Sequence, residues 1–191
     1  MRIMTLVLSA TAVLAASLAA ASPLVAYAPQ AAAGARPLAA PQRLERRFLQ
    51  IAAADLRFQS EASRLAQSRT NNPAVKDLAN TLLARQQTAQ PELMRLLHTR
   101  EMALPMPTNE HYKVLRQLAK LNGAKFDRLY VDEVVLKSYQ ADIANYEKLS
   151  AQAEDPVLKG WVDRQLPKLR MDYAKAGKTL PSASLRGQRA V

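Results

Sequence analysis

The stretch FDRLYVDEVVLKSYQADIANYEKLSAQA, residues 126–153, decides the fold. It contains neither glycine nor proline, and its larger apolar side chains recur every three to four residues, which is the spacing of one face of a helix. A helix of about 28 residues is roughly 42 Å long and cannot cover its apolar face alone. The stretch therefore predicts an all-α protein in which several long helices pack together.

The sequence on either side predicts three more long helices and one short helix. Each has apolar residues at helical spacing and is bounded by proline, glycine or asparagine. The predicted helices span residues 44–68, 73–102, 109–121 (the short one) and 156–178. This order predicts a ferritin-like four-helix bundle with the extra short helix in the middle crossover connection. An up-and-down bundle with an extra lid helix is the alternative.

Several residues are typical of helix boundaries. Asn72-Pro73 and Asp155-Pro156 each combine an N-cap residue with a proline, whose missing N–H costs nothing in the first turn. Thr108 or Asn109 is the expected cap of the short helix. Pro91 lies inside the second long helix. It predicts a kink near residues 87–91 or two abutting segments, because proline removes a hydrogen bond and clashes with the preceding turn.

The two ends of the chain differ in composition from the helical part. Residues 1–28 have the pattern of a signal peptide: a basic start, an uncharged apolar run and the small-x-small sequence Ala26-Tyr27-Ala28, so cleavage is expected after Ala28. The apolar run is also long enough for a retained membrane anchor, which stays the alternative. Residues 29–42 predict a flexible spacer and residues 181–191 a disordered tail, around a bundle domain at 43–180. The mature protein is expected to be soluble and either periplasmic or secreted by a bacterium.

The composition excludes some chemistry and indicates a basic surface. The chain has no cysteine, which excludes disulfides, thiolate catalysis and Cys-ligated metal. Its formal net charge is +11, but lysine and arginine are spread over every predicted helix, without a dense block or interleaved aromatic residues. We expect a solvated cationic surface and no specific nucleic-acid partner. Anionic lipid or polysaccharide of the cell envelope is the candidate partner.

Polar side chains interrupt the apolar faces of all four long helices. Because buried polar groups must be hydrogen-bonded, we expect them to form a polar layer or water cluster inside the bundle. The alternatives are positions at the edge of the apolar faces, or a small-ligand or ion site. The candidates for the interior polar layer are Asp55, Gln59, Gln86, Ser138, Asp142 and Asp172, with Gln165 on the same helix as Asp172.

The sequence contains no recognisable residue set for catalysis, a metal or a cofactor. A di-iron or di-manganese centre in a bundle needs Glu-x-x-His on two helices, and the chain has none. Its two histidines are expected at the surface (His98) and in the cap of the short helix (His111). No nucleophile elbow supports a Ser–His–Asp triad, and phosphate loops and dinucleotide fingerprints are absent. The chain is predicted not to be an enzyme and to bind no cofactor.

Short motifs in a fixed order connect the chain to a known family. They are Phe48 with Ala52-Ala53, Leu65-Ala66, Asn72-Pro73-Ala74-Val75-Lys76, Leu78-Ala79, Leu118 with Leu121-Asn122-Gly123, Phe126-Asp127 with Tyr130, Asp155-Pro156 with Leu158-Lys159, and Leu166-Pro167. Through them, residues 47–180 resemble a widespread bacterial family of exported ferritin-like domains of unknown function, often labelled outer-membrane proteins. The resemblance implies a ferritin-like bundle behind a signal peptide.

The chain departs from this family at four places. The family commonly has a glutamate on the first helix and a histidine on each of the other three, where this sequence has Gln59, Gln86, Ser138 and Asp172. If the family binds a metal through these groups, the departure implies that this chain has lost that ability.

We therefore expect an exported helical-bundle protein without catalytic activity, with a binding, envelope or stress-related role. One alternative is a metal-binding protein that uses Asp55, Asp142 and Asp172 with amide oxygens, a ligand set that favours Mg, Ca or Mn. The other is a basic envelope protein that binds anionic lipid or polysaccharide.

Overall fold

The computed structural model describes residues 38–179. The predicted signal peptide, most of the spacer and the predicted tail lie outside this part. Within residues 38–179 the chain forms helices and no strand, which confirms the all-α class there. None of these helices is long and apolar enough to cross a membrane. The elements are α1 (Ala40–Arg69), α2 (Pro73–His98), α3 (Asn109–Leu118), α4 (Gly123–Leu129), a π-helical segment (Tyr130–Lys137), α5 (Ser138–Gln152) and α6 (Pro156–Thr179).

The long helices pack into a bundle with one continuous apolar core. The short connections at residues 70–72 and 153–155 make antiparallel hairpins of α1 with α2 and of α5 with α6. Contacts of α1 with α5 and of α2 with α6 join the hairpins, and α3 packs against α1. The rings of Phe48, Tyr146 and Trp161 meet inside the bundle with centroids 4.9 to 6.3 Å apart.

The stretch that decided the fold is helical from Phe126 to Gln152, but it is not a uniform α-helix. α4, the π-helical segment and α5 follow each other without a break. The π-helical segment is eight residues long, and at its end the Ser138 hydroxyl donates to the carbonyl of Glu133, 3.1 Å away and five residues back. Apolar spacing did not reveal this segment, because its buried residues Tyr130, Val131 and Val134 also fit one face of an α-helix.

The second helix ends earlier than predicted and is not divided by its proline. It stops at His98 because Glu101 adopts a left-handed conformation with φ of 52°, and the Met102 N–H bonds back to the Leu97 carbonyl at 3.0 Å. Pro91 lies inside α2, which stays one helix, so the alternative of two abutting segments is wrong, while the kink near residues 87–91 stays a prediction.

Three predicted helix caps are confirmed. Asn72 Oδ1 accepts the N–H of Ala74 at 3.0 Å, Thr108 Oγ1 accepts that of His111 at 3.2 Å, and Asp155 Oδ1 accepts two N–H groups at the start of α6. Besides the end of α2, two helix boundaries differ from the prediction. α1 begins at Ala40, inside the predicted spacer, and α3 ends at Leu118 rather than at residue 121.

Candidate functional site

A buried guanidinium lies at the centre of the polar groups inside the bundle. Arg85, from α2, has only 10% of its side chain exposed. Its Nη2 donates to Oε1 of Gln59 on α1 and lies 3.5 Å from Oδ2 of Asp142 on α5. Gln59 Nε2 donates to the same Asp142 oxygen at 2.8 Å, and the guanidinium lies over the Tyr139 ring, 4.8 Å from its centroid. Three helices are therefore joined through one cation.

A carboxyl group on α1 adds to this arrangement. Burial raises the pKa of Asp142 to about 6, the Arg85 guanidinium opposes that shift, and the neighbouring Asp55 carboxylate increases it. We refer to Asp55, Gln59, Arg85, Tyr139 and Asp142 as the interior cluster. The fixed cation Arg85 faces Asp142, so this carboxyl group has its counter-charge within the fold.

The histidine of the short helix closes the outer side of the interior cluster. His111 Nδ1 accepts the N–H of Thr108 at 3.3 Å, which places the proton of a neutral ring on Nε2, 3.1 Å from Asp55 Oδ1. The imidazole is stacked on the Phe58 ring with centroids 4.4 Å apart. Both ring nitrogens are engaged, so His111 is not placed to activate a nucleophilic Ser138, whose hydroxyl donates to the Glu133 carbonyl. Its predicted position in the cap is confirmed, as is the exposure of His98.

The structure brings only some of the predicted polar residues together. Gln59 and Asp142 are in direct contact, and Asp55 is next to them. Gln86 instead faces the other side of α2, where its Oε1 accepts from Ser60 at 2.5 Å. Asp172 is half-buried and touches the interior cluster only through the Tyr139 hydroxyl, at 3.5 Å.

Gln165 is buried next to the interior cluster, at a very small cavity. This cavity of about 10 Å³ is lined by Arg85, Asp142, Tyr146 and Gln165 among others. Arg85 Nη1 is buried and has no hydrogen-bond partner within the described residues. A space of this size suits about one water molecule and is far too small for an organic ligand.

The residues present do not fit a metal centre. Among residues 38–179, no three histidine, aspartate or glutamate side chains converge as metal ligands would. Gln59, Gln86, Ser138 and Asp172 do not converge either, since Gln86 and Ser138 bond elsewhere. A guanidinium, which cannot lose its charge, lies against the Asp142 carboxylate that a cation would need.

A cleft of ligand size lies on the outer side of the α1–α2 hairpin. Its volume is about 400 Å³, which is within the range of small-molecule sites. We refer to it as the α1/α2 cleft. Its polar lining residues are Arg57, Ser60, Glu61, Arg64, Gln86 and Gln90. Its apolar lining residues are Ala53, Leu56, Leu93, Met94 and Leu104.

A second polar cluster lies at the end of the bundle where α1 begins. Glu45 is buried and accepts the N–H groups of Glu154 and Asp155, each at 2.9 Å, while Arg100 pairs with the Asp155 carboxylate. Burial raises the pKa of the Asp155 carboxyl, but the Leu158 and Val157 N–H groups and the Arg100 guanidinium outweigh it and hold that pKa below its usual value. The bonds of Glu45 and Arg100 tie the α5–α6 connection to α1 and to the end of α2.

These observations define an all-α helical bundle with a buried Arg85–Asp142 ion pair in its polar interior and a cleft on its surface. The chain belongs to the family described as a domain of unknown function (DUF4142), whose model matches residues 28–179. This agrees with the resemblance to a family of unknown function noted from the sequence. No curated protein and no solved structure matches the chain significantly.

Proposed function

We propose that this protein is an exported, non-enzymatic binding protein with a ferritin-like bundle, and that it acts through its surface rather than through its polar interior. The signal-peptide pattern of residues 1–28 supports export. The order of the helices, with α3 between the second and third long helical runs, is the order expected of a ferritin-like fold.

One observation carries the proposal: the interior cation is a side chain of the protein itself. In a bundle that works on a metal or substrate, the interior carboxylates face an exchangeable group. Here Asp142 faces Arg85 and Gln59, and Asp55 faces His111, so each carboxylate already has a partner within the fold. The interior cluster therefore serves to hold α1, α2, α3 and α5 together.

Export is tested by fractionating bacterial cells that express the full chain. We expect the protein in the osmotic-shock fraction, with an intact mass that lacks residues 1–28. A full-length mass in the cytoplasmic fraction would contradict the proposal of export.

The architectural role of the interior is tested with metals. We expect the melting temperature of chelator-treated protein to stay unchanged when Mg, Ca or Mn is added, because Arg85 already neutralises Asp142. An Arg85→Gln variant serves as a comparison, since it removes that cation. A rise in the melting temperature of the wild type on adding one of these ions would contradict the proposal.

A further inference from the structure

The α1/α2 cleft has a polar end and an apolar end. Two hydrogen bonds fix the register of the hairpin: Ser60 to Gln86 at 2.5 Å, and Gln67 to Asn80 at 2.9 Å. In this register Arg64 lies at the end of the cleft nearer the α1–α2 connection. Met94, near the end of α2, lies at the opposite end of the cleft. Polarity therefore changes along the cleft rather than across it.

The polar end carries one unpaired positive charge. Arg57 and Glu61 form an ion pair at 3.1 Å and neutralise each other. Ser60, Gln86 and Gln90 bond to one another in a row, so these groups already have partners. Arg64 is exposed and has no hydrogen-bond or ion-pair partner in the part of the chain that the structure describes. The polar end is thus suited to a single negative charge.

The opposite end exposes apolar side chains to solvent. Met94 is 38% exposed and Leu104, in the connection after α2, is 44% exposed, although both are large apolar residues. Leu93 and Ala53 line the same end beneath them. Burying this surface under an apolar group would release ordered water and stabilise a complex.

The dimensions of the cleft suit a single extended chain. From Ala53 to Arg64 the α1 backbone advances about 16 Å, at roughly 1.5 Å per residue. A volume of about 400 Å³ over that length corresponds to a narrow trough. We propose that the α1/α2 cleft binds one single-chain anionic amphiphile of the fatty-acid type, with its carboxylate at Arg64 and its acyl tail against Leu93, Met94 and Leu104. This inference rests on the proposed binding function.

The alternatives fit the cleft less well. A polysaccharide would leave the exposed surface of Met94 and Leu104 in contact with polar groups. The second negative charge of a polyanion would lie beside the Glu61 carboxylate, which would repel it. A monoanion with an apolar tail matches both ends of the cleft at once.

Titration calorimetry with laurate and the purified full chain tests the proposal. We expect one laurate per protein molecule. Decanoate should bind about tenfold more weakly, because each buried methylene contributes roughly 0.8 kcal/mol. Dodecanol, which has the tail without the charge, should bind more weakly than laurate.

Two variants and two matched controls locate the binding site. Arg64→Gln should weaken laurate binding about tenfold and change dodecanol binding less than about twofold, since a charged hydrogen bond contributes roughly 1.5 kcal/mol. Met94→Asn should weaken the binding of both ligands. The control for Arg64→Gln is Arg47→Gln, an equal change of charge on the exposed side of α1. The control for Met94→Asn is Met171→Asn, at an exposed methionine of α6. Both controls should leave the affinities for laurate and dodecanol within about twofold of wild type.

The outcomes separate this inference from the proposed function. Equal laurate binding by wild type and Arg64→Gln, or uptake of many laurate molecules per chain, would overturn the inference and leave the proposed function in place. After the titration, the ligand is extracted and its mass is measured by mass spectrometry to show whether it has been converted. Chemical conversion of bound laurate would instead overturn the proposal of a non-enzymatic protein.

Discussion

Two arginines of the α1–α2 hairpin show how the same side chain can have two roles. Arg85 is directed into the bundle, where it contacts Gln59, Tyr139 and Asp142. Arg64 is directed into the α1/α2 cleft and has no partner in the described part of the chain. A buried cation whose partners lie on two other helices stabilises the fold, whereas an exposed cation without a partner remains available to a ligand. The difference separates architecture inside the bundle from binding outside it.

The largest expected effect comes from breaking the interior cluster. Arg85→Ala leaves Asp142 buried without its cation, so we expect the free energy of unfolding to fall by about 3 kcal/mol in urea titrations at pH 7. The control is Arg95→Ala, an exposed position on the same helix, which should cost less than about 0.5 kcal/mol. Equal losses for the two variants would contradict a structural role of Arg85.

Breaking the contact of α3 with α1 should have the next largest effect on stability. His111→Ala removes the bond to Asp55, the stacking on Phe58 and part of the helix cap, and we expect a loss of about 1–2 kcal/mol in the free energy of unfolding. His98→Ala, at the exposed end of α2, is the matched control and should be nearly neutral. A neutral His111→Ala would show that the short helix is held by apolar packing alone.

The pH dependence of the free energy of unfolding should reveal the titration of the buried Asp142 carboxyl group. The pKa of Asp142 is raised in the folded state, so the folded protein binds this proton more tightly than the unfolded chain does. Its contribution to stability is therefore complete below the unfolded pKa of 3.8 and is lost as the pH rises through the folded value of about 6. Relative to Asp142→Asn, wild type should gain about 1 kcal/mol in the free energy of unfolding between pH 7 and pH 5. A constant difference between the two proteins over this range would contradict the raised pKa.

The smallest effect on stability is expected in the cleft. Arg64→Gln should change the free energy of unfolding by less than about 0.5 kcal/mol, because the side chain is exposed and unpaired. The same urea titration as for Arg85→Ala checks this. A loss comparable to that of Arg85→Ala would mean that Arg64 is also part of the architecture.

Much of the fold could be predicted from the sequence because its signals are local. Apolar spacing located every long helix, and Asn72, Thr108 and Asp155 marked helix starts that the structure confirms. The end of α2 was missed because it depends on a left-handed Glu101, a conformation that the residue type does not favour. The π-helical segment was missed because a few buried residues fit either helix type.

The polar interior could be predicted only in part. Gln59 and Asp142 interrupt apolar faces and were identified as interior candidates. Arg85 and Glu45 were not, although both lie at helical spacing from buried apolar residues, because a charged residue type is ordinarily assigned to the solvent-exposed side of a helix. Periodicity indicates where a Cβ atom points, and it does not show where a guanidinium ends.

The most direct test of the separation between interior and cleft is laurate binding by a protein whose interior has been made apolar. The triple variant Gln59→Leu, Arg85→Met and Asp142→Leu replaces all three hydrogen-bonded side chains with apolar ones. Proteins often tolerate such a replacement of a buried ion pair when both partners are changed together. For a triple variant that is folded by circular dichroism and unfolds cooperatively, we predict a laurate affinity within about twofold of wild type, since additivity holds for separate sites. A folded triple variant that no longer binds laurate would show that the interior cluster takes part in function and would contradict the account.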